Sequence, residues 1–149
     1  MARCVGQIRD MESLSVFDKI DPYDINKKLY HVGKLGNDII QLLNLQIPET
    51  DIYLHRKSIA HIKAHDVDFA SASGTSIYIA QIPDILENPD YVSLHPDGKS
   101  IRYIKRYSDI ITVAVSLTIT NGGLRVKTLF PITNAKLQGY IDSGNAKAL

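Results

Sequence analysis

The spacing of apolar residues along this chain changes at about residue 91. Before that point, apolar positions recur at helical intervals, which predicts helices at residues 25–29, 37–45, 55–67 and 76–87. Pro83 lies inside the last of these segments and is expected to divide it or to start its second part. Short strands are predicted between the helices, at residues 30–35 and 51–54.

After residue 91 the apolar positions alternate, which predicts strands at residues 91–95, 100–107, 110–120 and 123–132. The turn sequences HPDGKS and TNGG separate them, and the Asn-Gly pair favours a tight reversal. A last helix is predicted at 134–141, followed by a frayed tail at 143–149. The predicted fold class is α+β, with N-terminal helices (about 1–90) packed on a four- to five-stranded antiparallel meander (about 91–132) in one domain, 1–149.

Composition narrows the class of protein. The chain has 149 residues, of which 44% are hydrophobic and 22% charged, as expected for one globular domain. Cys4 is the single cysteine, so neither an intramolecular disulfide nor a cysteine zinc site is expected. No apolar run is long enough for a membrane span and the N-terminus does not resemble a signal peptide, so a cytoplasmic protein without membrane contact is predicted. The net charge of +1 conceals basic clusters at 56–63 and 99–106.

The segment HRKSIAHIKAHDV, residues 55–67, carries the most distinctive candidate chemistry. His61 and His65 are four residues apart, which places both rings on one face of a helix, while Ile59 and Ile62 form an apolar edge away from them. Imidazole exchanges protons near neutral pH, so the pair suits acid-base catalysis. Two solvated surface histidines are the alternative. No metal site is expected, because HIKAH lacks the glutamate of the zinc-protease helix.

The predicted strands sort charged residues onto two surfaces. Four basic side chains point away from the apolar face, and they form either a phosphate-binding surface or a solvated sheet face: Arg102, Arg106, Arg125 and Lys127. Lys105 and Thr128 are predicted on the apolar side, where they line a cleft, or where Thr128 is a hydrogen-bonded core residue.

The chain resembles the phage-associated nucleases of the barnase, EndoU, colicin E5/D and RelE-like superfamily. The resemblance rests on the order VGKL, DIYLHRKSIAHIKAH, IPDILENPDYV and RVKTLFPIT, and covers residues 32–132. It implies a metal-independent endoribonuclease without cofactors, which cleaves RNA by attack of the ribose 2′-hydroxyl on the adjacent phosphate. It further implies a phage- or mobile-element-encoded effector or toxin, with a cognate inhibitor or immunity protein as partner.

Roles follow from the resemblance residue by residue. His61 and His65 would be base and acid in either order, Lys105 would stabilise the phosphorane, and Thr128 would donate a hydrogen bond to phosphate. Candidate RNA-backbone contacts are Arg102, Arg106, Arg125 and Lys127, and candidate base-stacking residues are Tyr91, Tyr103 and Tyr140. His95, at a strand end, is an alternative to one helix histidine, and His31 and His55 are weaker candidates.

Two other function classes stay open. The same fold suits a nucleic-acid or protein binding module that does not cleave. A metal-assisted hydrolase that uses His61 and His65 is the third possibility. Cleavage in EDTA, binding without cleavage, and loss of activity on chelation separate the three.

Overall fold

A computed structural model of the chain describes residues 17–64 and 75–149. The strands of this part are β1 Leu29–Leu35, β2 Thr50–His55, β3 Tyr91–Leu94, β4 Ser100–Arg106, β5 Ile110–Thr120, β6 Gly123–Ile132 and β7 Ala146–Ala148. The helices are α1 Asn37–Leu42, α2 Arg56–Lys63, α3 Thr75–Ile79, α4 Ile82–Glu87 and α5 Asn134–Asp142.

The strands of the described residues form one seven-stranded sheet in the order β1-β2-β6-β5-β4-β3-β7. Neighbouring strands are antiparallel except β2 and β6, which run parallel with Ile52 opposite Leu124. The α+β class is confirmed, but the predicted four- to five-stranded antiparallel meander behind a helical half is wrong. The sheet is larger and mixed because β1 and β2, from the N-terminal half, extend it beyond β6.

Two smaller predictions are also corrected. Residues 25–29 contain no helix before β1 begins at Leu29, and the predicted frayed tail instead forms β7, which pairs antiparallel with β3. Ser93 of β3 lies opposite Ala146, so the tail protects the edge of the sheet. The helix boundary at Pro83 is confirmed, because α4 carries this proline in its first turn, where no backbone N–H is needed.

The main hydrophobic core lies on one side of the sheet, which we call the core face. Alternation places Ile52 and Leu54 of β2 on this side, where they join Ile59 and Ile62 of α2 in one buried cluster. Helices α3 and α4 contribute to the same cluster. On the opposite side, α5 covers only part of the sheet, where Leu137 packs with Ile104 and Ile110 in a second cluster. The rest of that side, towards β1, has no helix above it among the described residues.

A bulge in β6 changes which side chains share a face. Val115 of β5 lies opposite Val126, whereas the adjacent Ala114 lies opposite Thr128, so Lys127 is the extra residue. Leu129 is therefore buried in the main core. The prediction that Thr128 shares the core face is wrong, because one inserted residue reverses the side on which every later side chain of the strand points.

Candidate active site

The side of the sheet away from the core carries two cross-strand rows of mostly polar residues. The first row runs across β1, β2, β6, β5 and β4 through His31, Tyr53, Arg125, Ser116 and Ser100. The second runs across β6, β5, β4 and β3 through Thr128, Ala114, Arg102 and Ser93. Neighbours in a row are about 4.8 Å apart, the strand spacing of a sheet.

Exposure divides these rows into an accessible and a covered part. The half-buried members, which we call the open face, are His31, Tyr53, Arg125, Ser116 and Thr128. Ser93, Ser100 and Arg102, towards the α5 side, are buried. The open face therefore places a guanidinium, hydroxyl groups and an imidazole within reach of one ligand.

His31 forms an ion pair with Asp51 at the β1 end of the open face. Its Nε2 lies 3.0 Å from Asp51 Oδ1, and the two side chains are 31% and 46% exposed. The imidazole ring also contacts the rings of Phe17 and Tyr53, with centroids 5.1 and 5.0 Å away. The carboxylate and the two rings together fix the orientation of the imidazole.

His55 lies two residues beyond Tyr53, at the junction of β2 and α2. Its Nδ1 accepts a hydrogen bond of 3.0 Å from the backbone N–H of Lys57 and so caps the helix. Partial desolvation lowers the pKa of His55, and the positive charges of Lys28, Lys57, Arg125 and Arg56 lower it further. The histidine therefore marks the centre of an electropositive region beside the open face.

The two arginines of the rows have unsatisfied donors. Arg125 Nε is buried and has no hydrogen-bond partner among the described residues. Arg102 is 8% exposed, donates from Nη2 to Ser93 Oγ at 3.1 Å, and lies 4.4 Å from the centroid of the Tyr140 ring. Its Nε also lacks a partner within the described part of the chain. Guanidinium groups bind phosphate oxygens well, but both of these Nε atoms are closed to solvent, so a phosphate would have to meet other atoms of the half-exposed Arg125.

The structure does not gather all of the sequence-predicted residues into one place. His61 is exposed on α2, while His65 lies outside the described residues. Lys105 alternates along β4 with Arg102 and so points to the core face, and its Nζ donates to the carbonyl of Asn88 at 2.7 Å. Thr128 points to the opposite side of the sheet. Lys105 and Thr128 therefore do not meet, whereas Thr128 and Arg125 share the open face.

The other predicted basic and aromatic residues are divided in the same way. Lys127 is exposed at the bulge, next to Thr128, and Arg106 donates from Nη1 to Asn134 Oδ1 at 3.0 Å, at the start of α5. Tyr103 is fully buried in the main core, and Tyr140 covers Arg102. Of the candidate backbone contacts, Arg125 and Lys127 are the ones nearest the open face.

Sequence reasoning gave little weight to the histidines of the sheet, although a signal for them was present. In β2 the order TDIYLH alternates, with Ile52 and Leu54 buried and Asp51, Tyr53 and His55 half-buried between them. Extending the predicted strand by one residue at its end would have placed His55 on the same side as Tyr53. Only the pairing of β2 with β1 and with β6 brings His31 and Arg125 next to Tyr53.

A sheet face with a fixed histidine, an electropositive margin and a half-exposed guanidinium suits a protein that acts on phosphate esters. The chain belongs to the family described as phage-Barnase-EndoU-ColicinE5/D-RelE like nuclease3, whose sequence model matches residues 30–138. The resemblance inferred from the sequence is thus confirmed, and the protein is a phage-type nuclease. No curated protein and no solved structure matches the chain.

Two other kinds of feature are absent from the described residues. No group of three or more His, Cys, Asp or Glu side chains within 17–64 and 75–149 is arranged to hold a metal ion. No helix in those same ranges is long and apolar enough to cross a membrane.

Proposed function

We propose that this nuclease is an endoribonuclease that cleaves RNA by 2′-hydroxyl transesterification on the open face. The observation that carries the proposal is the row in which Arg125 lies two strands from His31, with Thr128 beside it. The 2′-oxygen attacks the adjacent phosphorus as a base removes its proton. The bond from phosphorus to the 5′-oxygen then breaks, and that oxygen takes a proton from an acid. The products are a 2′,3′-cyclic phosphate and a 5′-hydroxyl.

In the proposed complex the scissile phosphate of the RNA lies between Arg125 and Thr128. The half-exposed guanidinium of Arg125 and the hydroxyl of Thr128 would donate to the phosphorane oxygens, whose charge increases in the transition state. Lys127, exposed at the bulge, would pair with a neighbouring phosphate. Arg102 and Arg106 extend this series of cations towards α5, and Lys105 stays in the proposal as a separate site to test.

Histidines would supply the proton transfers. His61 and His65 are the pair suggested by the sequence, and His61 is exposed on α2, the helix that packs on the core face. His55 has a lowered pKa and is therefore largely neutral near pH 7, which suits donation of a hydrogen bond to phosphate better than service as a charged acid. The proposal extends to a phage- or mobile-element-encoded effector or toxin acting in the cytoplasm, with a cognate inhibitor or immunity protein.

The test compares cleavage of an RNA and of a DNA of the same sequence in the presence of EDTA, with analysis of the product ends. We expect the wild type to cut RNA only and to leave cyclic-phosphate ends. Arg125→Ala should lower the rate by about 10²-fold, as expected for loss of a charge-stabilising donor. Lys136→Ala removes an exposed cation on α5, away from the open face, and is the matched control. Lys105→Ala and the double variant His61→Ala/His65→Ala test the roles suggested by the resemblance.

Each alternative gives a distinct result. RNA that binds without being cut, by folded wild-type protein, would favour the binding module. Activity that is abolished by EDTA and restored by a divalent metal would favour the metal-assisted hydrolase. Cutting of DNA as readily as RNA would exclude attack by the 2′-hydroxyl, because DNA lacks that group.

A further inference from the structure

We infer that His31, oriented by Asp51, is the general base that removes the proton from the 2′-hydroxyl. This assignment rests on the proposed ribonuclease function and deepens it. The contact of 3.0 Å between Nε2 and Asp51 Oδ1 selects the tautomer in which Nε2 donates to the carboxylate. The lone pair of Nδ1 is then left for proton abstraction, and Nδ1 has no hydrogen-bond partner in the described part of the chain.

Packing around the ring limits its rotation. Phe17 meets the imidazole edge-on, with an interplanar angle of 82°, and Tyr53 lies beside it at 30°. The ring of Tyr53 in turn occupies the space above Gly123, where a Cβ would lie 2.5 Å from Cδ2 and Cε2 of the tyrosine. A glycine in β6 thus allows Tyr53 to lie against β6 while it supports His31 from the other side.

The charged surroundings of His31 contain both signs. Asp51 contacts the ring, and Lys34 lies opposite Asp51 on β1. On the outer side, Asp18 accepts the backbone N–H of His31 at 2.8 Å and is itself paired with Lys27 at 2.7 Å. Towards β6 the next charge in the row is that of Arg125. Asp51 is the carboxylate in contact with the imidazole, so it stabilises the imidazolium that forms when the base takes a proton.

The placement of His31 relative to Arg125 suits the reaction. The two residues are two strands apart in one row, which separates their Cα atoms by roughly 10 Å. Tyr53 lies between them in the row, so the substrate would lie over Tyr53, with its 2′-oxygen about 3 Å from the base and a phosphate oxygen about 3 Å from the guanidinium. The proton of the 2′-hydroxyl passes to Nδ1 as the new oxygen–phosphorus bond forms. The leaving 5′-oxygen takes its proton from a second group that acts as the acid, so His31 supplies one of the two proton transfers of the proposed reaction.

The experiment uses a pair of histidine variants, because the chain contains a second His-Asp contact. His95 and Asp97 are 2.9 Å apart in the turn between β3 and β4, away from the open face. We expect His31→Gln to lower kcat on RNA by about 10²-fold or more with little change in KM, as for the loss of a general base. His95→Gln should keep the wild-type kcat. Urea unfolding of both variants checks that each is folded.

A second variant tests the role of the carboxylate. Asp51→Asn presents an amide in place of the acceptor, so the imidazole loses the partner that fixes its tautomer and stabilises its charged form. We expect kcat to fall with little change in KM, because the imidazole is no longer held in the tautomer that takes the proton. A merely structural role for Asp51 would lower the free energy of unfolding and leave kcat of the folded variant unchanged.

The outcomes distinguish failure of the assignment of His31 as base from failure of the proposed ribonuclease function. Wild-type cleavage to cyclic phosphate that persists at full kcat in folded His31→Gln would overturn the base assignment and leave the ribonuclease function intact. A wild type that cuts no RNA would overturn both. A fall in kcat for His31→Gln and for folded Asp51→Asn, with an unchanged His95→Gln, supports the dyad.

Discussion

Replacing Gly123 by alanine would test whether packing in the sheet controls the geometry of the open face. A Cβ at this position would lie 2.5 Å from both Cδ2 and Cε2 of Tyr53 and 3.3 Å from the carbonyl oxygen of Asp51. Carbon atoms in contact prefer about 3.5–4.0 Å, so the tyrosine ring must retreat by about 1 Å. Because Tyr53 contacts the ring of His31, this displacement reaches the proposed base.

The expected cost is larger for activity than for stability. Forcing a methyl group into an occupied space costs about 1–3 kcal/mol. Alanine returns about 0.4–1 kcal/mol by restricting the unfolded chain, because Gly123 does not require a positive φ. A displacement of about 1 Å in a catalytic group can lower kcat by about 10²-fold. We therefore expect a modest loss in the free energy of unfolding and a marked loss of RNA cleavage.

The assay is urea unfolding together with kcat on a defined RNA. Gly139→Ala is the matched control, because a Cβ there meets nothing within 4 Å and the residue lies inside α5. That control should gain up to about 1 kcal/mol from helix propensity and keep full activity. Adding Tyr53→Leu to Gly123→Ala should recover stability but not activity. If Gly123→Ala were as stable and as active as the wild type, the ring of Tyr53 would be free to relocate and our account of the site would be refuted.

Two tyrosines on β4 and just after it give further predictions for stability. Tyr103→Phe should raise the free energy of unfolding by about 1 kcal/mol in urea titrations, because its buried hydroxyl lacks a partner among the described residues. Tyr107→Phe should lower it by about 1 kcal/mol or more, because that hydroxyl donates to Asp84 at 2.6 Å. Burial raises the pKa of both tyrosines, and for Tyr107 the contact with Asp84 raises it further. The contribution of these raised pKa values to the free energy of unfolding should therefore be fully present below about pH 10. It should decrease above that pH, because the tyrosines of the unfolded chain ionise first. A urea unfolding midpoint that is constant from pH 9 to 11 would contradict this.

The sequence predicts the local elements of this fold better than their assembly. The strands around HPDGKS and TNGG are predicted within a residue or two, because turn residues fix both hairpins and adjacent strands pair. The parallel pairing of β2 with β6 joins segments that are far apart in the chain, and no local pattern encodes it. The sequence therefore predicts only an antiparallel meander with N-terminal helices packed on it, and not the larger mixed sheet.

Only part of the site is predicted from the sequence, because its other contacts also join segments that are far apart in the chain. Arg125 and Lys127 were placed away from the core by alternation, and the structure leaves both at least partly exposed. Thr128 was predicted on the wrong side of the sheet, because β6 contains a bulge that no proline or glycine in the sequence indicates. His31 and Asp51 come from two different strands, so their contact depends on the register of β1 against β2, which also contains an irregularity. Such a pair is not visible in either segment alone.

The burial of Arg102 is informative because stability alone does not account for it. Its neighbours on the α5 side, Ile104, Ile110 and Leu137, form an apolar cluster, so an apolar side chain would suit the position. Among the described residues its charge meets a serine hydroxyl and the face of Tyr140, and no carboxylate pairs with it. A cation–π contact is worth about 2 kcal/mol when desolvated, whereas an unpaired buried charge costs several. The buried charge of Arg102 is therefore expected to cost stability rather than to add to it.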